Sequence, residues 1–204
     1  MSPGRPRDTA IDAAVLDATV AVLAERGWSG FALETVAARA GTTKAAIRRR
    51  WPVRQRLVID ALATLLVSPP APDNGCTRCD LIQSVDLLTE MLNDRLPAGV
   101  LAPLVAECAD PELRGHLVDT LVAPTRAAAA VAVRRAVSRG ELRDDVDPDM
   151  VVDLLAATVY QRALFGDAPQ HARTLVDLLL RGVAVDFDRL VWISKQPREL
   201  RHRH

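Results

Sequence analysis

Apolar residues recur along this chain at three- and four-residue spacing, the period of helices that bury one face. Ile11, Val15, Ala18, Val22 and Leu23 form the first such row, in a helix that starts at Asp8 or Thr9, runs to about Arg26 and ends at Gly27. Trp28 and Phe31 follow in a loop and are expected in the core. Short helices are predicted over 33–40, with Val36 and Ala40 inward, and over 44–51, with Ile47 and Trp51 four apart on the core side. A fourth, 54–67, is apolar at Leu57, Val58, Ala61, Leu62 and Leu65. The stretch SPPAPDNG (68–75) then breaks the pattern by composition and is expected to be a hinge between two helical layers.

Beyond the hinge, Leu81, Val85, Leu88 and Leu92 make one row of an amphipathic helix over 81–96. A short apolar helix covers 100–108, and Asp110-Pro111 opens another through Leu113, Leu117 and Leu121. Pro124 either kinks that helix or starts the next, and 126–138 is rich in Ala and Val. Asp147-Pro148 opens a helix to Phe165, and the last firm helix covers 170–185. In 186–204, Leu190, Val191 and Trp192 are expected to dock and the basic tail RELRHRH to be loose. No run approaches the ~18 apolar residues of a membrane span. The N-terminus lacks the apolar core of a secretory signal, so a cytoplasmic chain with no membrane association is expected.

Ala, Val and Leu dominate the apolar half of the composition and aromatics are 3% of residues, which favours an all-α fold over a sandwich. Net charge is zero, but unevenly spread. Residues 1–60 carry ten Lys/Arg against six Asp/Glu, and the remainder sixteen against twenty. A basic end on an acidic body is the pattern of a nucleic-acid reader joined to something else.

The basic end concentrates in RAGTTKAAIRRRWPVRQR (39–56), where Arg39, Lys44, Arg48, Arg49, Arg50, Arg54 and Arg56 occur with no acid between Glu34 and Asp60. Gly41 suits the end of a helix, where positive φ is often needed. Thr43 suits the N-cap of the next, and Pro52 the first turn of another. Helix, tight turn, short basic helix and helix make a helix-turn-helix, whose second element enters the DNA major groove. Thr43 and the free N–H groups behind it can bind a phosphate. Lys44 and Arg48 lie four apart on a face away from the core, and Ala45 between them is small enough for close approach. Arg48 or Arg49 can pair bidentately with guanine, worth about 1–3 kcal/mol of discrimination. Arg50 and Arg54 are expected on phosphates, which position without specifying. In the arm SPGRPR, Arg5 and Arg7 are expected in the minor groove or on phosphates.

The same residues carry a resemblance. AARAGTTKAAIRRRWPVRQRL (37–57) resembles the helix-turn-helix signature of the TetR/AcrR family of bacterial regulators at Ala37, Ala40, Gly41, Lys44, Ile47, Trp51, Pro52 and Leu57. Arg48 stands where that family usually has Tyr, Val53-Arg54 where it has Ser-Lys, and Ala32 where a phosphate-binding Ser or Thr often begins the second helix. RGELRDDVDP (139–148) is similar to the segment before the last two helices of one large subgroup. The resemblance implies a three-helix DNA-binding head (1–52), a helical ligand-binding and dimerisation domain (53–185, with 54–67 connecting the two), and a C-terminal extension (186–204). It also implies a dimer through a four-helix interface, and a small molecule that shifts the fourth helix and respaces the two heads.

The last two long helices are apolar on more than one face, so each needs two partners, the body and a second subunit. Val151, Val152, Leu155, Val159, Leu175, Leu178 and Leu179 are the expected interface. Met91, Leu92, Leu104, Val105, Cys108, His116, Tyr160 and Phe165 are candidates for an apolar effector pocket. Cys76-Thr-Arg-Cys79 is either a redox pair or half a metal site, but a structural zinc needs four ligands, and the pair reads first as two small side chains in a loop. No nucleophile–base–acid set is present, so no enzyme, cofactor or metal is expected. The expected partners are an operator duplex, a small hydrophobic effector and a second copy of the chain, in a repressor. The alternatives are a thiol-based redox regulator using Cys76 and Cys79, or a ligand-binding protein that has lost DNA binding.

Overall fold

The computed structural model describes residues 9–66, 70–166 and 171–201. Their regular elements are all helices, and the one β-type pairing among them is an isolated antiparallel bridge between Leu142 and Ala184. No described helix is long and apolar enough to cross a membrane. The fold divides into two compact units, one drawn from Met1–Val67 and Leu96–Leu121, the other from Ser68–Arg95 and Val122–His204.

The first unit begins with α1 (Thr9–Arg26), which buries Val15, Ala18, Thr19, Val22 and Leu23. Gly27, at φ 65°, ends it. Next come α2 (Leu33–Arg39), α3 (Lys44–Arg50) and α4 (Arg54–Ala63). The buried residues of α4, Leu57, Val58, Ile59, Ala61 and Leu62, cover more than one face because α1 packs on one side and a later helix on the other. That later helix spans Pro111–Leu117. α4 stops at Ala63, short of the expected residue 67. Thr64, Leu65 and Leu66 each bond back three residues instead of four, and Thr64 Oγ1 donates to the Ala61 carbonyl at 2.6 Å. Pro69 and Pro70 follow in the sequence, and residues before proline avoid the helical region.

The second unit is built around α5 (Thr77–Glu90), whose buried side includes Leu81, Val85 and Leu88. It starts four residues earlier than the apolar row alone indicated, so Cys76 and Cys79 lie in its first turn and not in a loop. A single π-helical turn, Met91–Arg95, closes it. Two short helices of the first unit follow, α6 (Leu101–Glu107) and α7 (Pro111–Leu117), the latter capped by Asp110 accepting from Leu113 N–H at 3.0 Å. A π-helical turn, Val118–Val122, leads to α8 (Ala123–Ser138), so Pro124 starts a helix; it sits in the first turn, where its missing N–H costs nothing.

Back in the second unit, α9 (Pro148–Phe165) ends on Gly166 at φ 78°, and α10 (Ala172–Val183) follows. Arg143 N–H donates to Val183 O and Val185 N–H to Glu141 O, tying the RGEL segment to the end of α10. The C-terminal extension holds α11 (Phe187–Ser194), with Leu190 and Ile193 buried, and α12 (Arg198–Arg201). Arg201, expected in a loose tail, donates to the Gln196 and Ser194 carbonyls at 2.8 and 3.1 Å. α5 packs against α8, α9, α10 and α11.

Candidate nucleic-acid interface

The turn between α2 and α3 is made by local chemistry. Gly41 takes φ 63°, which a side chain would strain, and Thr43 accepts the Ala46 N–H at 3.1 Å. Ala32 precedes α2 and caps nothing with its side chain. Ile47 and Trp51 are buried and fix the inward side of α3. Thr43, Ala45, Arg48 and Arg49 are exposed, and Lys44 and Arg50 half-buried. Arg5 and Arg7 lie outside the described residues.

The cationic run is not a bare patch, because the fold brings acids to it from four helices. Arg39 pairs with Glu25 at 2.6 Å, Arg54 with Glu107 at 2.7 Å and Arg56 with Glu112 at 3.4 Å; Lys44 pairs with Glu34 and Arg50 with Asp12. The Glu34 carboxyl is held low chiefly by its hydrogen bond from Lys44, and Glu25 by that from Arg39. Among the described residues, Arg48 and Arg49 make no ion pair. An open depression between the starts of α2 and α4 is lined by Glu34, Lys44, Arg48, Arg54 and Gln55 among others.

Four residues the sequence reading missed, or placed differently, organise this region. Trp28 is not simply core. Its indole lies under the Arg54 guanidinium, 4.7 Å from ring centroid to Cζ, and its Nε1–H donates to Glu107 at 2.9 Å. Glu107 also accepts from Arg54 and from Gln55 Nε2 at 2.8 Å. Asp60 accepts from Trp51 Nε1 at 2.8 Å on one oxygen and meets His116 Nε2 at 2.6 Å on the other. The end of α3 is thus bonded through α4 to α7. Nothing in the sequence marks Glu107 or Asp60 for this, since their partners lie far away along the chain.

The Glu107 carboxyl is depressed by the Arg54 hydrogen bond first, then by Trp28, with partial burial opposing and Gln55 adding to the lowering. A depressed carboxylate stabilises above its unfolded pKa and loses that contribution as pH falls through the folded one. Because the pair is exposed, Glu107→Ala is expected to cost under about 1 kcal/mol at pH 7. Thermal unfolding of wild type and variant should converge on acidification below the carboxylate range.

The other expected sites divide between the units. Leu104 and Cys108 are buried in the first unit, where Val105 is exposed and His116 is held by Asp60. In the second, Met91 is buried, Leu92 and Tyr160 are half-buried, and Phe165 is 77% exposed. The turn carrying Met91 and Leu92 packs against α9, which carries Tyr160. Burial raises the Tyr160 hydroxyl, whose oxygen is buried and makes no hydrogen bond among the described residues. Of the residues expected between subunits, Val151, Val152, Leu155 and Val159 are buried in the chain's own core, because that face of α9 packs on α8 and α5. Leu175 and Leu179 are half-buried and Leu178 is 71% exposed. The large apolar side chains that α9 and α10 leave exposed are Met150, Leu154, Phe165 and Leu178.

Residues 15–61 match the tetR family of bacterial regulatory proteins, and residues 71–180 the tetracyclin repressor-like C-terminal domain. The HTH-type transcriptional regulator AqdR of Rhodococcus erythropolis is 31% identical over 82% of this chain and 83% of its own length. The DNA-binding transcriptional repressor TetR of Mycobacteroides abscessus is 31% identical over 82% of this chain and 91% of its own. The crystal structure of the TetR family transcription regulator SCO0332, 31% identical, aligns with a TM-score of 0.66 over 85% of this chain and 98% of its own. With a helix-turn-helix at one end and a matching helical C-terminal domain at the other, the chain belongs to the TetR family of transcriptional regulators.

Proposed function

We propose that the protein is a homodimeric repressor that holds an operator through α3 and releases it when a small hydrophobic molecule binds the C-terminal domain. The observation that carries the DNA-reading part is the state of Arg48 and Arg49, exposed and outside the ion pairs that occupy their neighbours, on a helix fixed from behind by Ile47 and Trp51. These two read base edges. Lys44 and Arg54, paired with carboxylates near the surface, exchange those partners for phosphates at little cost because exposed pairs are weak, and Arg50, whose pair with Asp12 is more sheltered, does so at a higher one. Arg5 and Arg7 add phosphate or minor-groove contacts. Thr43 orients the start of α3 and Ala45 admits the backbone.

The second copy docks on the apolar side chains left exposed by α9 and α10, chiefly Met150, Leu154 and Leu178. The effector contacts Met91, Leu92 and Tyr160, whose hydroxyl supplies a hydrogen-bonding group in apolar surroundings. Repression is supported by the Mycobacteroides abscessus relative, named a repressor. The bonded path from Trp51 through Asp60 to His116 is the route by which a shift of α7 reaches α3.

Selection of bound duplexes from a random pool tests this. A two-fold symmetric site is expected, with half-sites about one helical turn apart, and binding that weakens steeply between low and physiological salt. A monomer in sedimentation, or a salt-independent affinity, overturns it.

A further inference from the structure

Cys76-Thr77-Arg78-Cys79 begins α5, and the structure makes more of it than a chance pair. Cys76 is the N-cap. Its sulfur accepts the Cys79 N–H at 3.2 Å, which holds the Cys76 thiol over the first helical turn, against the residue that carries the second thiol. Cys76 is fully buried and Cys79 half-buried, so reagents in solvent reach Cys79. Two guanidinium groups stand by the pair. Arg201 Nη1 lies 3.4 Å from Cys79 Sγ, and Arg78 is anchored on Asp177 and Ser194. Asp80 is the acid nearest in sequence, with one oxygen held by Asn74.

We propose that Cys79 and Cys76 form a reversible thiol-modification site for hydroperoxides, in which oxidation to a disulfide withdraws the sulfur that latches Arg201 and α12. This is independent of the operator reading. The Cys79 thiolate attacks the distal oxygen of R–O–OH. An S–O bond forms, the O–O bond breaks, and R–O⁻ leaves and takes a proton from water. The Cys76 sulfur, on losing its proton, attacks the Cys79 sulfenic sulfur. The S–S bond forms, the S–O bond breaks, and water departs. The peroxide gains two electrons and the two thiols lose them.

The electrostatics divide the roles. The Cys79 thiol is lowered to about 7, first by a side-chain interaction with the Cys76 thiol, with Arg201 and then Arg78 assisting against burial and Asp80. Cys76 is pushed up by the side-chain interaction with the Cys79 thiol and by burial, against the Cys79 backbone N–H, which lowers it; the balance suits the resolving thiol. Cys108, buried in the first unit and also raised by burial, is the internal control. A disulfide sulfur carries no charge, so Arg201 loses its anionic partner and keeps its bonds to the Ser194 and Gln196 carbonyls.

The experiment uses the full chain, reduced and then treated with hydrogen peroxide, alkylated, and cut with trypsin without reductant. Trypsin cleaves after Arg78, between the two cysteines. The peptide ending at Arg78 is expected to stay joined to the one beginning at Cys79, to separate on adding dithiothreitol, and to leave Cys108 alkylated. Hydrogen exchange across 195–201 should rise on oxidation. Before oxidation, Cys79 alkylation should show its midpoint near pH 7, and Arg201→Gln should move that midpoint up while Arg201→Lys restores it. Separate peptides after peroxide, or a Cys79 rate that follows pH as Cys108 does, overturns the proposal. So does a Cys79 that goes on to sulfinic acid without linking to Cys76. The wild-type peptide map decides the matter even where a variant fails to fold.

Discussion

Asp177→Ala is expected to destabilise the protein by about 3–5 kcal/mol, the cost of stranding a buried charge. Arg78 has a side chain only 8% exposed, and its guanidinium uses three nitrogens: Nε to one Asp177 oxygen at 2.6 Å, Nη2 to the other at 2.9 Å, and Nη1 to Ser194 Oγ at 3.2 Å. The carboxylate raises the Arg78 pKa further, against the opposing effect of burial, and an arginine has no neutral form to retreat to. Removing the carboxylate leaves the cation in place with one neutral partner. Asp177 is 27% exposed, so some water can enter and the lower end of the range is favoured. The same mutation in an exposed pair provides the contrast. Glu90→Ala, which frees Arg95 at a site about half open on both sides, should cost under about 1 kcal/mol. Replacing both partners, Arg78→Met with Asp177→Leu, should recover most of the loss, since no charge is then stranded. Urea denaturation of the three variants is the measurement. Equal, small losses for Asp177→Ala and Glu90→Ala would show that the pair is solvated in solution. The size of the effect follows from position: the ion pair joins the first turn of α5 to α10, and Ser194 extends it to α11.

What could be read in the sequence was what short range determines. Gly41, Thr43 and Trp51 announce the turn and the basic helix because each acts within a few residues: a positive φ, a cap bond three residues on, an apolar position one turn from Ile47. Helix starts at Asp110-Pro111 and Asp147-Pro148 were legible for the same reason. The charge run was legible as charge and misleading as surface. Its counter-ions Asp12, Glu25, Glu107 and Glu112 come from other helices, and no local pattern records which carboxylates a fold will bring near. Direction on α9 was hidden differently. Val151, Val152, Leu155 and Val159 fill the core, yet Met150 and Leu154 are as apolar and point outward. Periodicity loses its power to orient a helix when both faces are greasy. The two cysteines appeared to be in a loop because the row of leucines begins only at Leu81. The first turn of α5 is set instead by the cap at Cys76 and the buried Thr77, Arg78 and Asp80, polar residues that burial scales assign to the surface.

Arg48→Ala is expected to lower affinity for the selected operator about 10–100-fold and to relax preference at one position of each half-site, the loss of a bidentate contact worth about 1–3 kcal/mol. The sequence already directs Arg48 or Arg49 to bases and Arg50 and Arg54 to phosphates; the fold adds the partners that hold the latter two. Arg50 is 19% exposed and paired with Asp12, and Arg54 is pinned between the Trp28 ring and Glu107. Neither can extend to a base edge without breaking those contacts. Alanine at either should weaken binding to all duplexes alike and reduce the log–log salt slope by about 1, the signature of one lost phosphate contact. Arg48 and Arg49 have nothing comparable to give up. Arg48 sits beside Lys44 on the open depression, with Glu34 in electrostatic range. Glu34→Gln removes an acid from the approach to DNA and releases Lys44, so it should strengthen binding while leaving preference unchanged. Fluorescence anisotropy on the selected site and on a scrambled duplex, at two salt concentrations, separates these cases. Should Arg50→Ala erase sequence preference while Arg48→Ala and Arg49→Ala retain it, the face of α3 turned to DNA is not the one these ion pairs leave free.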